Sequence, residues 1–321
     1  MRAARLASPK KIEFVETEKP KPSDGEVLIK MEQVSICGSD IYLEYDRDLP
    51  EEEYPMAPGR PCHECAGVIV ESRTPDLKEG QRVIVIPKLG AGMAQYVTQT
   101  PDRIIALPDW GGLDEWVMCQ HSGTVLYSAK QWGNPMGKRV AVLGQGGIGL
   151  SFTMIAEKQG AQQVIGMDLH DYRLKKSLEL GATDTVNPSK EDPIEAIKKL
   201  TRGKGLDVVV DASGAPEGLE TCLKLVNKEG LVIGFSLVSP KKVSFTQSEW
   251  MAKNVTVRAT TVALTNHPVQ EIREIVALRD RGWIDPGKLK SHNWTWDRAA
   301  EAFEMYAGQK DGVIKVALAV S

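Results

Sequence analysis

The chain of 321 residues lacks any uninterrupted apolar stretch approaching the roughly 18 residues needed to cross a bilayer, so no membrane-spanning helix is expected. Its basic opening residues lead into Lys11 and Glu13 rather than an apolar core, so no secretory signal is expected and a cytoplasmic location is the default. An excess of one charge is also missing. Forty Lys and Arg stand against 43 Asp and Glu, a formal charge of −3, which supplies no basic field for nucleic acid or an anionic membrane. Cysteine is scarce and odd in number, at positions 37, 62, 65, 119 and 222, which argues against a disulfide framework and leaves metal ligation or packing. There is no internal repeat and no low-complexity tract. What is present, 42% hydrophobic and 26% charged residues, is ordinary globular composition, and the length suggests two domains with a core each.

The first 120 or so residues read as β-rich. Short apolar runs at 27–31, 67–71 and 82–86 are closed by turn clusters at 20–25, 78–80 and 89–92, where Gly supplies positive φ and Pro fixes φ, and a partly open barrel is the expected shape. The segment 43–58 carries Glu44, Asp46, Asp48, Glu51, Glu52 and Glu53 with three prolines, and reads as a solvated surface loop. From Lys138 strands alternate with helices: apolar runs at 139–143, 164–168, 208–211 and 231–235, and helical spacing at 148–160, 172–180, 193–200 and 217–226. That alternation predicts an α/β class with a doubly wound parallel sheet covered on both faces. A strand at 254–258, helices at 269–281 and 297–307 and a short strand at 313–320 complete the chain.

Gly144-Gln145-Gly146-Gly147-Ile148-Gly149 is a G-x-G-x-x-G that follows a strand and opens a helix. The first glycine allows the tight turn, the second lets backbone approach a pyrophosphate, and the third lets helix pack on strand, so an anion meets the helix N-terminus. Asp168 closes the next strand 24 residues on, where an acid accepts from ribose hydroxyls and repels a 2′-phosphate, favouring NAD over NADP. A helix cap is the plainer role for Asp168. Arg173 could stack on adenine or pair with a phosphate, or lie on the exposed face of its helix. Strand ends place Ser213 on the adenosine side of a bound dinucleotide and Gly234, with Phe235, Thr260 and Thr261, at the carboxamide end.

A second concentration of chemistry is Cys37-Gly38-Ser39-Asp40 together with Cys62-His63-Glu64-Cys65-Ala66-Gly67. Thiolate and imidazole on separate loops, with an acid to orient the ring, are what a catalytic zinc site with an open position requires. Taken alone, His63-Glu64 could be a satisfied polar pair and Cys37 a small core residue. Cys62 and Cys65 have the spacing of half a structural knuckle, but no second C-x-x-C completes it.

Together with the Gly144 loop, these residues closely resemble the zinc-dependent medium-chain dehydrogenase/reductase family, which includes alcohol, sorbitol, glucose and L-threonine dehydrogenases. The resemblance runs over nearly the whole chain, through C-G-S-D at 37–40, H-E-x-x-G at 63–67, Ala94-Gln95-Tyr96-Val97 and the closing segment 294–303. It implies a Rossmann domain at 123–263 and a GroES-like catalytic domain at 1–122 with 264–321, with the active site in the cleft between them. By the same resemblance Cys37 and His63 ligate zinc, and Ser39 bonds the substrate oxygen and begins its proton relay. Asp40 partners the His63 ring, and Glu64 is a direct or exchangeable ligand. The third ligand falls in 117–124. An ungapped count back from the loop lands on Gln120, with Cys119 and His121 one residue either side.

Two features depart from the family pattern. The lobe of four cysteines that holds a structural zinc is absent, 87–90 bridging the gap, so one zinc is expected. Tyr42 stands where the family often has a relaying His, five residues after the first ligand; a phenol, with pKa about 10, passes a proton less readily near neutral pH. The implied reaction is reversible oxidation of a secondary alcohol to a ketone by hydride transfer to NAD, in a homo-oligomer, dimer or tetramer, with the strand at 254–258 a possible pairing edge. Glu44 and Asp46 could favour a cationic or polyhydroxylated substrate. A zinc-free NADPH quinone or enone reductase, or a non-catalytic nucleotide-binding redox sensor, are the competing readings.

Overall fold

The structure, a computed structural model, describes residues 1–47, 49–236 and 242–321; Asp48 of the acidic segment lies outside them. The chain forms two compact units, Met1–Gly123 with Ile272–Ser321, and Thr124–Glu271. In chain order the first unit begins with β1 (Arg2–Ser8), β2 (Lys11–Glu16), β3 (Val27–Ser35), β4 (Glu64–Ser72), β5 (Arg82–Val85), β6 (Tyr96–Gln99) and β7 (Ile104–Ala106). The second unit supplies β8 (Arg139–Leu143), β9 (Gln163–Met167), β10 (Asp184–Val186), β11 (Leu206–Asp211), β12 (Val226–Gly234) and β13 (Thr256–Ala259). Strands β14 (Lys290–Thr295) and β15 (Lys315–Ala319) return to the first.

In the first unit β1 and β2 make an antiparallel ribbon, and a larger sheet runs in the order β14-β15-β3-β4-β5-β7, with β6 also on β3. Its pairings are antiparallel apart from β14 with β15. β3 is therefore flanked by a strand that begins at Glu64 and another that begins at Lys315. Ile29, Met31, Ile69 and Val83 share a core with Trp296 and Phe303 of the closing segment. Phe14 meets Trp296 edge-on at 5.2 Å between ring centroids, and Tyr45 meets Phe303 at the same separation.

The segment 43–58 differs from the solvated loop expected of it. Tyr45 and Met56 are buried in this core, the former at the end of the short helical turn Ile41–Tyr45, while Glu51, Glu52 and Glu53 face solvent. Burial of two large apolar groups fixes a segment whose charge count reads as exposed.

The second unit is a six-stranded parallel sheet, β10-β9-β8-β11-β12-β13. The order reverses between β8 and β11, as in the doubly wound Rossmann arrangement expected from the sequence. β8 is apolar and almost wholly buried because helices cover a parallel sheet on both faces. The helices Gly147–Lys158, Asp171–Glu179, Pro193–Leu200 and Gly218–Leu225 alternate with these strands. Short elements with little periodicity, β1, β2, β10 and β14, were not apparent in the sequence. Helix Met118–Ala129, whose start the family resemblance placed within 117–124, shows no clear period of its own, its Cys, Gln, His, Ser and Gly hiding the buried face.

Phe303 has no exposed surface and joins the closing helix to Tyr45. Phe303→Ala is expected to lower unfolding free energy by about 3–5 kcal/mol in chemical denaturation; a loss below about 1 kcal/mol would show that this packing is dispensable.

Candidate metal and dinucleotide sites

Cys37 ends an extended segment after β3, and the chain turns helically through Gly38–Asp40. Asp40 reaches back three residues to accept the Cys37 backbone N–H through Oδ2 at 2.9 Å, the geometry by which an acid at the third position caps a helical turn. Its other oxygen, Oδ1, lies 2.7 Å from His63 Nδ1. One buried carboxylate thus fixes the Cys37 loop and the His63 ring, and leaves Nε2 as the ring's remaining donor atom. Burial pushes the His63 pKa down, but the charge and hydrogen bond of Asp40, reinforced by Cys37, hold it well above the usual imidazole value. Ser39 Oγ donates to Cys37 Sγ at 3.2 Å.

Glu64 follows His63 as the first residue of β4 and is fully buried. Among the described residues, Cys37, His63 and Glu64 form the one group whose candidate ligand atoms converge, all within 4.8 Å of one another. Thiolate, imidazole and carboxylate in one cluster are a donor set that suits zinc. Glu64 Oε1 is buried with no hydrogen-bond partner, an atom that a cation would satisfy.

Glu64 Oε2 is held differently. Lys315 Nζ donates to it at 2.5 Å and to the Ile36 carbonyl at 2.7 Å. Burial pushes the Glu64 pKa up, but Lys315 above all, with His121 and His63, brings it below the usual carboxylate value. Sequence reasoning missed Lys315. The signal was a single Lys within the apolar run Val313-Ile314-Lys315-Val316-Ala317-Leu318, a strand that buries it completely.

The three residues left open as third ligand go separate ways. Cys119 is buried against Arg279 and Asp285, and its thiol is pushed up to about 12, chiefly by burial. His121 is buried with Nδ1 3.9 Å from Glu64 Oε2. Gln120, also buried, lies between them in the first turn of helix Met118–Ala129. Cys62 and Cys65 are buried packing residues, Cys62 Sγ facing the Ser35 carbonyl at 3.5 Å. Tyr42 is partly exposed, and desolvation, with the charge of Cys37, raises its pKa. Glu44 pairs with Arg60 at 2.7 Å and Asp46 with Lys10 at 2.6 Å. Both acids flagged as substrate-attracting already have cationic partners that sequence inspection could not supply.

In the second unit the glycine loop joins β8 to helix Gly147–Lys158. Gly144 has φ +82°, and a Cβ there would lie 2.5 Å from the Ala212 carbonyl oxygen. A Cβ on Gly149 would lie 1.7 Å from the Gly144 carbonyl oxygen, so both positions require glycine. Gly146 faces open space, which is the room a diphosphate needs beside the first-turn residues Gly147 and Ile148. Asp168, just past β9, is buried; its Oδ2 accepts the Gln145 N–H at 2.7 Å and its Oδ1 the His170 N–H at 2.9 Å. Arg173 does not lie on an exposed helix face. Its Nη1 is 3.6 Å from Asp168 Oδ2, because the buried acid draws the guanidinium in. Ser213 hydrogen-bonds Asp211 at the end of β11, and Gly234 closes β12 in register with Asp211. All of these groups sit at the carboxyl ends of the strands, where open parallel sheets bind ligands.

Two family models match the chain. Residues 23–145 match the alcohol dehydrogenase GroES-like domain family, and residues 147–278 the zinc-binding dehydrogenase family. An alcohol dehydrogenase of Cupriavidus necator is 27% identical, with 99% of this chain and 98% of that protein covered. An L-threonine 3-dehydrogenase of Bacillus licheniformis is 28% identical, with 92% and 93% covered. In fold, the chain superposes on an Escherichia coli oxidoreductase/dehydrogenase of unknown specificity with a TM-score of 0.89 at 24% identity, covering 100% and 99% of the two chains. The chain therefore belongs to the zinc-type medium-chain dehydrogenase/reductase family.

Proposed function

We propose that the protein is a zinc-dependent, NAD-linked dehydrogenase that interconverts a secondary alcohol, of the polyol, sugar, hydroxy or amino alcohol class, and its ketone. The observation that carries this reading is the convergence of Cys37, His63 and Glu64, with His63 oriented by Asp40 and one Glu64 oxygen left unpaired. Cys37, His63 and Gln120 would hold one zinc, with Glu64 as a direct or exchangeable ligand. Gln120 is preferred because the ungapped count back from the Gly144 loop lands on it, as the resemblance to the polyol enzymes implies. When bound, zinc supplies Lewis acidity toward the substrate oxygen and NAD supplies the hydride acceptor.

Ser39 takes the proton of the substrate hydroxyl, its own hydroxyl being aligned in the resting state by Cys37 Sγ. Tyr42, in the same helical turn, carries the phenol that stands where the family often has a relaying His. Its raised pKa keeps it protonated, so it serves as a hydrogen-bonding link to solvent and not as a base. In the second unit Gly144, Gly146, Gly147, Ile148 and Gly149 receive the diphosphate, Asp168 the ribose, Arg173 and Ser213 the adenosine side, and Gly234 the carboxamide end. The exposed edge of β13 supports pairing of copies into a dimer or tetramer, as does family membership.

Elemental analysis of purified protein tests the metal. About one zinc per chain is expected, lost in Cys37→Ser and in His63→Ala together with NAD-linked alcohol oxidation. A metal-replete protein without zinc would overturn the proposal. The coenzyme choice is tested at Asp168, whose fixed carboxylate would meet a 2′-phosphate. Asp168→Ser is expected to raise the NADP-to-NAD ratio of kcat/KM by at least about tenfold, a modest share of the repulsion between charges a few ångströms apart. An unchanged ratio would remove Asp168 as the determinant.

A further inference from the structure

The surroundings of Glu64 are lopsided. Lys315 Nζ donates to Oε2 at 2.5 Å, and His121 Nδ1 approaches the same oxygen at 3.9 Å. Oε1, buried, has no hydrogen-bond partner, although the carboxylate belongs to the group that converges with Cys37 and His63. The side chains of Glu64 and Lys315 are 0% and 3% exposed, so water does not redistribute this charge. Lys315 is also fixed from the other side. It donates at 2.7 Å to the carbonyl of Ile36, the residue before Cys37, which ties the carboxylate to the Cys37 loop.

The sheet explains how the three meet. Glu64 opens β4 opposite Ser35 of β3, and β15 pairs with β3 on its other side with Ala317 opposite Ser35. Lys315, two residues before Ala317, thus stands at the same end of β3 as Glu64 and the start of the Cys37 loop.

We propose that Lys315 is a positioning residue that tethers Glu64 through Oε2, offers only Oε1 to the metal, and thereby sets how tightly zinc is held. The inference rests on the zinc reading above. A fixed cation on Oε2 competes with zinc for the carboxylate's charge, so its effect on the metal runs through Glu64. Without it, the metal is the strongest counter-charge left to the buried carboxylate, which moves onto it. The open position needed for substrate is then filled by Glu64, and turnover suffers while nucleotide binding does not.

The test is release of zinc from the loaded protein into excess chromophoric chelator, followed by absorbance. Lys315→Met is expected to release zinc at least about tenfold more slowly than the parent, the scale on which groups behind metal ligands act. Its kcat should fall with the KM for NAD unchanged. Lys315→Arg, which keeps the cation, should release zinc at the parent's rate. In a Glu64→Gln background, where the two charges are absent together, Lys315→Met should cause no slowing, and this double variant remains informative if the single one folds poorly. Release from Lys315→Met as fast as from the parent, or equal slowing in the Glu64→Gln background, overturns the tether while leaving the zinc reading intact. A metal-replete parent without zinc overturns both.

Discussion

Two hydrogen bonds to a single carboxylate govern the geometry of the Cys37–His63 cluster. Asp40 is 4% exposed, and each of its oxygens is committed, one to the Cys37 backbone N–H and the other to the His63 ring. A buried carboxylate is tolerable only when so engaged. Because both bonds go to the same rigid group, the Cys37 backbone and the His63 ring are held at one carboxylate. Lys315 extends the same logic on the far side, fixing Glu64 by one oxygen and the Ile36 carbonyl by another bond.

The second unit reaches specificity by the opposite route. Where the first relies on side-chain charge, the nucleotide loop relies on missing side chains: Gly144 and Gly149 abut backbone carbonyls and Gly146 opens onto free space. The charged group there, Asp168, is pinned by two backbone N–H groups, so its position follows from the loop's conformation. The Gln145 side chain lies beneath the loop, donating to the Val142 carbonyl and accepting from Thr153 Oγ1, and stiffens it from below.

What the sequence revealed and what it concealed divide along the range of the interactions involved. Cys37 to Asp40 is a local turn, the glycine loop is a local strand-to-helix junction, and the strand–helix alternation after Lys138 is periodic; all three could be read. The pairing of Asp40 with His63 spans 23 residues and was legible only through resemblance to a family. Lys315 was hidden because its partner is 251 residues away, and nothing near it marks a buried lysine as functional. Glu44 and Asp46 misled for the same reason. Their partners, Arg60 and Lys10, lie outside any local window, and a charge count cannot tell a paired acid from a free one. Tyr45 and Met56 went unread because an aromatic and a thioether among acids have no period to betray their burial.

The first unit is assembled from two stretches of chain separated by the whole of Thr124–Glu271. During synthesis the contiguous nucleotide unit can close as soon as it emerges, whereas β3 and β4 must wait for β15 before their sheet has its full order. Until then Glu64 has no counter-charge from Lys315, and Trp296 and Phe303 are missing from the core that contains Met31 and Ile69. Contacts across so long a separation are slow to form. The Glu64 carboxylate is therefore among the last buried groups of the chain to acquire its partner.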